Sequence, residues 1–159
     1  MSGVSTERYR IAYDEAIRSL AYQRAAIDAL RTRVGYLVSA ATIATSFLGG
    51  LALRAQSDAG SWLAIALFVG FGVAAAKILW PRAEGAEGFT ARPSILVEAL
   101  DATDDDDLGT IYRDLSLYVE EAHDFNTERH LKPLTDWFRA AILLLMAEIA
   151  AWVIDLALR

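Results

Sequence analysis

The chain has 159 residues, of which 55% are hydrophobic and 23% charged, and its net charge is -6. This acidic balance, without any cluster of lysine and arginine, argues against a nucleic-acid-binding surface. The sequence contains no cysteine, which excludes disulfides and thiolate metal sites.

The first predicted element is a helix over residues 5–33, a stretch free of glycine and proline in which Ser5 is expected to be the N-cap. Because charged residues alternate beside its apolar stripe, a stalk or coiled-coil helix is favoured over a helix lying in the membrane plane. The first long apolar run begins only at Val34, so we expect no cleavable signal peptide. The stripe recurs at spacings of three, four or seven and consists of Tyr9, Tyr13, Ile17, Leu20, Ile27 and Leu30.

Two apolar segments follow, residues 34–53 and 61–80, joined by the polar turn 54–60. Each has about 20 residues, which at ~1.5 Å per residue matches a hydrocarbon core of roughly 30 Å. They are predicted to be TM1 and TM2, a transmembrane hairpin. Small residues recur at every fourth position, either because the two helices pack closely there or because such residues are common in membrane helices. These residues are Thr42, Ser46 and Gly50 in TM1 and Ala66, Gly70 and Ala74 in TM2.

Residues 81–136 are predicted to be a cytoplasmic connection with helices at about 93–101 and 108–131. The tract 101–107 ends in four aspartates, but its spacing does not match a calcium loop, so a solvated turn is expected. The second helix is expected to end at Pro133 and to pair in parallel with the N-terminal helix. Its narrow apolar stripe consists of Leu108, Ile111, Leu115, Tyr118, Val119, Ala122 and Phe125.

Residues 137–158 form the third predicted span, TM3, which differs from the hairpin by carrying Glu148 at its centre and Asp155 near its far end. A central acid costs a few kcal/mol on insertion scales, so a cytoplasmic core helix is the alternative. The runs 142–146 and 149–154 are apolar all round, which favours the span.

Basic residues predict the orientation of the spans. Six precede TM1 and five lie between residues 82 and 132, whereas the hairpin turn has only Arg54 and the C-terminus only Arg159. The positive-inside rule then places the N-terminus in the cytoplasm and the C-terminus outside. The expected location is the inner (cytoplasmic) membrane of the cell.

The predicted spans bring a few polar side chains to similar depths. Arg54 and Asp155 both lie near the outer face, so the sequence predicts that they pair within or between subunits. Glu148 lies near mid-membrane and is expected to donate a hydrogen bond to a hydroxyl of TM1 at comparable depth, from Thr42, Thr45 or Ser46. The alternatives are a ring of Glu148 residues around a hydrated axis, which would line a cation path, and a proton relay.

The order of these elements resembles a family of uncharacterised small integral membrane proteins of actinobacteria. The resemblance is carried by the Tyr- and Arg-rich lead helix, the sequence AlaThrIleAlaThrSerPheLeuGlyGly at 41–50, TrpPro at 80–81 and the acidic third span. It implies no known activity. More loosely, the helix-hairpin-helix plan is similar to SLATT-type two-span effectors of bacterial defence systems, which implies pore formation, although the third span departs from that plan.

Two functions are consistent with this sequence. One is an oligomeric membrane effector or ion channel, gated by its cytoplasmic helices and conducting through TM3. The other is a non-conducting structural or accessory subunit that binds a cytoplasmic or membrane partner, such as a cytoplasmic protein, through its stalk. In both, the small-residue stripes and the stalk predict a homo-oligomer in the lipid bilayer.

An enzyme is disfavoured because the sequence shows no nucleophile-base pair and no phosphate-binding glycine loop. His123 and His130 lie seven residues apart on one helix face, but zinc needs three or four convergent ligands. We therefore expect a solvated helix surface there, and no metal or cofactor.

Overall fold

The computed structural model describes residues 2–54, 59–80 and 108–158, with side-chain surroundings from residue 6 to 52 in the first range. The predicted helix at 93–101, the acidic tract 101–107 and the side chains of Ser5 and Arg54 lie outside the described part.

Every regular element in the described ranges is helical. Helix α1 covers Ser2–Arg54, α2 covers Ala59–Leu79, α3 covers Leu108–Asn126, and α4 covers Lys132–Ala157, with a π-helical turn at Thr127–Leu131 between the last two. Helix α1, the helix α2 and the continuous helix from Leu108 to Ala157 each contain a stretch long and apolar enough to cross a membrane. The all-helical class and three candidate spans therefore agree with the sequence prediction.

The expected end of the helix at Pro133 is wrong, because the helix continues through this residue. In the π-helical turn before Pro133, the backbone N–H of Lys132 bonds to the carbonyl oxygen of Thr127, five residues back. A proline in a regular α-helix clashes with the carbonyl of an earlier turn. The wider π turn gives the chain room at this point, so the helix need not stop.

At the same turn, the spacing between buried positions along the helix becomes one residue longer. Val119 and Asn126 are seven residues apart, and Leu134, Ala141 and Glu148 again follow at intervals of seven. Between Asn126 and Leu134 the interval is eight. A buried seam repeats every 3.5 residues, so the π turn takes up the extra residue.

The chain divides into two compact units, and helix α1 contributes to both. The first unit comprises residues 1–27 and 82–132. Here the start of α1 packs on α3: the rings of Tyr13 and Tyr112 meet at a tilt of 47° with their centroids 5.9 Å apart, and the side chain of Gln23 donates to the carbonyl of His123. The contacts advance in the same direction along both helices, so the parallel pairing predicted from the sequence is confirmed.

The buried seam of this first unit is narrower than the predicted stripes. Leu20, Ile27 and Val119 are buried as expected. A two-helix seam, however, covers only positions that recur every 3.5 residues, and residues one position off it remain at the surface. The predicted stripe residues exposed in this way are Ile17, Leu108, Tyr118 and Phe125. Tyr9 is also exposed, although its ring lies beside Gly109 of α3.

The second unit, residues 28–81 and 133–159, contains the end of α1, all of α2 and most of α4. Its central cluster takes residues from each of the three helices: Ala41, Phe71, Ala74, Ala141 and Leu145. Alanine at three of these positions lets the backbones approach closely, which is how helices associate in a membrane. Helix α4 runs parallel to α1, since Thr45 meets Glu148 and Gly49 lies against Trp152. It runs antiparallel to α2, since Ser61 meets Asp155 and Gly70 faces Leu144.

Candidate functional site

Glu148 is the most deeply enclosed ionisable side chain that the structure describes, with 0% exposure. It lies on the buried face of α4, one turn before Trp152. The hydroxyl of Thr45 donates to its Oε1 at 2.5 Å, and the indole Nε1 of Trp152 donates to the same oxygen at 2.9 Å. A donor from α1 and a donor from α4 therefore converge on one carboxyl oxygen.

The second oxygen of this carboxyl, Oε2, is also buried but has no hydrogen-bond partner among the described residues. Leaving a buried polar atom without a partner costs about 1–3 kcal/mol. Such atoms are uncommon in native proteins and each one calls for an explanation. The Glu148 carboxyl is thus partly satisfied, and it keeps capacity for one more hydrogen bond.

Of the three hydroxyls predicted near Glu148, only Thr45 contacts it. Thr42 is exposed and its hydroxyl donates to the carbonyl of Val38 in its own helix at 2.8 Å, and Ser46 is also exposed. The direction of the bond also differs from the expectation, since Thr45 is the donor and the carboxyl accepts. Because Thr45 lies seven residues after Val38 and four after the buried Ala41, it faces the seam, whereas Thr42 faces away from it.

Asp155 is held at the start of α2. It is 5% exposed, and the hydroxyl of Ser61 donates to its Oδ2 at 3.1 Å. Its Oδ1 lies so close to Gly60 that a Cβ built on this glycine would approach it to 2.6 Å. A carboxyl group placed beside the first turn of another helix complements the N–H groups and the positive end of the helix dipole there.

The predicted pairing of Asp155 with Arg54 is not tested, because the side chain of Arg54 is not described. Sequence reasoning missed Gly60 and Ser61 as the residues that receive Asp155. Two signals were available in the sequence. Gly60 and Ser61 lie in the first turn of an apolar helix, and Asp155, seven residues after Glu148, is expected to share its inward-facing side of the helix.

The predicted small-residue stripes are only partly at helix contacts within the chain. Gly49, not Gly50, packs against Trp152, where a Cβ would lie 3.3 Å from the indole ring, whereas a Cβ on Gly50 would meet nothing within 4 Å. A Cβ built on Gly70 would lie 3.6 Å from the side chain of Leu144 in α4, so this glycine faces α4 rather than α1. Gly49 and Gly70 face α4 because α4 packs against one side of the hairpin formed by α1 and α2.

In the second stripe, Ala74 is buried in the central cluster and Ala66 is exposed. The outward-facing Ala66 and Gly50 remain available for contacts between copies of the chain, so their packing role stays a prediction.

A second polar arrangement lies in the first unit, where Gln23 is only 6% exposed. Its Nε2 donates to the carbonyl of His123 at 2.9 Å and to the hydroxyl of Thr127 at 2.6 Å. That hydroxyl in turn donates to the same carbonyl at 3.0 Å. Gln23 therefore binds the helix at the residue where the π turn begins, a role that the sequence analysis did not assign.

The sequence predicts a solvated surface at both histidines, and His130 departs from that prediction. His123 is partly exposed beside Asp124, with 3.5 Å between Nδ1 and Oδ1, but His130 is only 9% exposed and its ring meets Phe125 at 6.0 Å. The one-residue shift of the π turn brings His130 toward the seam. Within the described ranges, no three His, Asp or Glu residues lie close enough together to hold a metal ion.

The chain matches no protein-family model, no curated protein and no solved structure. Function is therefore inferred from the residues and contacts of the two units.

Proposed function

We propose that the protein is an integral membrane subunit whose second unit is a three-span anchor and whose first unit is a cytoplasmic helical module that binds a partner protein. The anchor is supported by the outer surface of the second unit, which is covered by large apolar side chains. A soluble protein rarely exposes such a continuous apolar surface, whereas lipid requires it. The exposed residues include Ile43, Phe47, Leu63, Val69, Val73, Leu143, Met146, Val153 and Ile154.

Aromatic residues near the ends of the proposed spans support the same placement. Trp62, Trp80, Trp137 and Tyr36 are all exposed. Trp and Tyr side chains concentrate at the two interfaces of a bilayer, where the ring meets apolar chains and the polar atom meets water. Lys77 is exposed near the end of α2 and has a stem long enough to reach the headgroups.

The observation that favours a non-conducting subunit is the inward position of both acids of α4. Glu148 is bonded to Thr45 and Trp152, and Asp155 is bonded to Ser61, all within one chain. A ring of acids lining a cation path needs these carboxyl groups to face a hydrated axis. In the described conformation they stabilise the packing of α4 on the hairpin instead.

The natural lack of cysteine makes the proposed topology directly testable. Single cysteines at Asp58 and Leu158 are expected to react with a membrane-impermeant maleimide added to intact cells, and a cysteine at Glu121 is expected to react only after the membrane is permeabilised. Labelling of Glu121→Cys in intact cells would refute the cytoplasmic placement. Failure of the chain to remain with membranes after carbonate extraction would refute the anchor.

A second candidate, an oligomeric cation-conducting effector, is favoured by the unpartnered Oε2 of Glu148. A carboxyl group that is partly satisfied is easier to release than one with all its hydrogen bonds made. Opening would require Glu148 to leave Thr45 and Trp152 and to turn toward an axis shared by several copies. The proposed relationship to SLATT-type effectors bears on this candidate only, because the actinobacterial resemblance implies no known activity.

Flux measurements in proteoliposomes separate the two candidates. If the effector is correct, wild-type protein conducts cations and Glu148→Gln, which keeps size and hydrogen bonding, abolishes the flux without changing assembly. Trp152→Phe removes one donor to the carboxyl and should raise the flux. Absence of flux from wild type and Trp152→Phe under all voltages would exclude the effector and leave the non-conducting subunit.

A further inference from the structure

A groove of about 530 Å³ runs along one side of the helix pair in the first unit. Its α1 side is formed by residues at spacings of three and four, which share one helix face, and the same holds for its α3 side. The lining residues are Ala12, Glu15, Ala16, Ser19, Ser116, Glu120, His123 and Asp124.

The floor of the groove consists of small side chains. Ala16, Ser19 and Ser116 are partly buried there. The hydroxyl of Ser19 donates to the carbonyl of Ala16, and that of Ser116 donates to the carbonyl of Arg113, so both hydroxyls are turned back to their own helices. The floor therefore offers a low, largely apolar surface that another helix backbone can approach closely.

The walls of the groove carry carboxylates. Glu15 is paired with the exposed Arg18 at 2.8 Å, and Asp124 lies beside His123. Glu120 lines the groove and is exposed, and it has no ion-pair partner among the described residues. An apolar floor with acidic edges is complementary to a helix that has small or apolar residues on one face and lysine or arginine on its flanks.

We propose that this groove is the docking site for a basic amphipathic helix of a cytoplasmic partner protein. The proposal rests on the proposed function, in which the first unit faces the cytoplasm and binds a partner protein there. The groove has the form of a helix-binding site, in which apolar contacts supply affinity and flanking charges set orientation and association rate. Only one face of α1 and one face of α3 line the groove. Acidic residues on the other faces of these helices should therefore contribute less to the affinity for the partner helix.

Glu120 and Glu121 provide a matched pair for testing this. Both are exposed acids of α3, but only Glu120 lines the groove. The experiment measures fluorescence anisotropy of a labelled synthetic helix, with Ala and Leu on one face and Lys on both flanks, against the full chain in detergent. We expect Glu120→Lys to weaken binding at least about tenfold and Glu121→Lys to change it less than about twofold. A control peptide with Glu in place of Lys should not bind.

Equal losses for the two variants would show only general charge attraction and would overturn the proposal, as would absence of peptide binding. Ala16→Leu, which fills the floor without changing charge, must also weaken binding; unchanged affinity would place the peptide elsewhere. Cross-linking of a cysteine at Ala12 to a second copy of the chain in the absence of peptide would show that a copy occupies the groove, and would likewise overturn it. The maleimide test of topology is independent, so failure of peptide binding and failure of the cytoplasmic placement are separate results.

Discussion

Replacing Thr45 by valine tests whether the contact with Glu148 holds α4 against α1. Valine keeps the shape of threonine but removes the hydroxyl that donates to Oε1 at 2.5 Å. Glu148 then retains only the indole donor, in a site with 0% exposure. The variant should therefore lose stability because a buried acceptor loses one of its two partners.

The size of the loss follows from the environment of the bond. Removing one partner of a buried hydrogen bond costs about 1–3 kcal/mol in proteins generally. Double-mutant cycles between membrane helices give smaller couplings, about 0.6 kcal/mol on average and about 1.7 at most. We expect Thr45→Val to cost roughly 1–2 kcal/mol, and the coupling between Thr45→Val and Glu148→Leu to be about 1 kcal/mol.

Thr42→Val is the matched control, because its hydroxyl bonds only to a carbonyl of its own helix and its side chain is exposed. The free energy of unfolding is measured by reversible titration of the detergent-solubilised protein with sodium dodecyl sulfate, followed by tryptophan fluorescence. Equal losses for Thr42→Val and Thr45→Val, or a coupling of zero, would refute the structural role of the contact.

Three further tests concern contacts between the helices. Gly60→Ala should destabilise the protein in the same titration, because its Cβ would lie 2.6 Å from a carboxyl oxygen of Asp155, whereas Gly50→Ala should be neutral; equal effects would contradict the close approach. Gly50→Leu should weaken a homo-oligomer in light scattering without unfolding the protomer, while Gly49→Leu should unfold it; a monomeric wild type would exclude the oligomer. Removal of Arg54 or Asp155 alone should cost more than removal of both if they pair, and additive costs would exclude that contact.

Sequence reasoning found the apolar helices because membrane spans are set by length and composition, which are local properties. It also identified the parallel pairing of α1 with α3, since the connections constrain the direction of two helices that lead into neighbouring candidate spans. The side-chain partners were harder to predict. Thr42, Thr45 and Ser46 have similar depth and chemistry, and only the phase of the buried seam selects Thr45.

The same reasoning explains the choice between neighbouring glycines. Gly49 and Gly50 are the same residue type at adjacent positions, but they point in directions about 100° apart around the helix axis. Only Gly49 faces Trp152. Which of the two glycines is buried depends on the position of α4, and the sequence of the hairpin alone does not give that position.

The prediction that the helix ends at Pro133 failed for a different reason. A proline normally signals a helix end, and the additional residue between Asn126 and Leu134 becomes visible only once the buried positions on both sides are known. Burial of His130 was missed because a regular α-helix was assumed between it and His123.

The π-helical turn makes the chain unequally tolerant of changes in length. Deleting one residue within α4, for example Ile149, turns every later side chain by about 100° and moves Trp152 and Asp155 off the seam, although the hydrophobicity of the span barely changes. Deleting one residue from Thr127–Leu131, together with Pro133→Ala, converts the wide turn into an ordinary α-turn and restores an interval of seven. Insertions and deletions accumulated by natural variants of this chain are therefore expected to fall at this turn rather than in the helix that follows it.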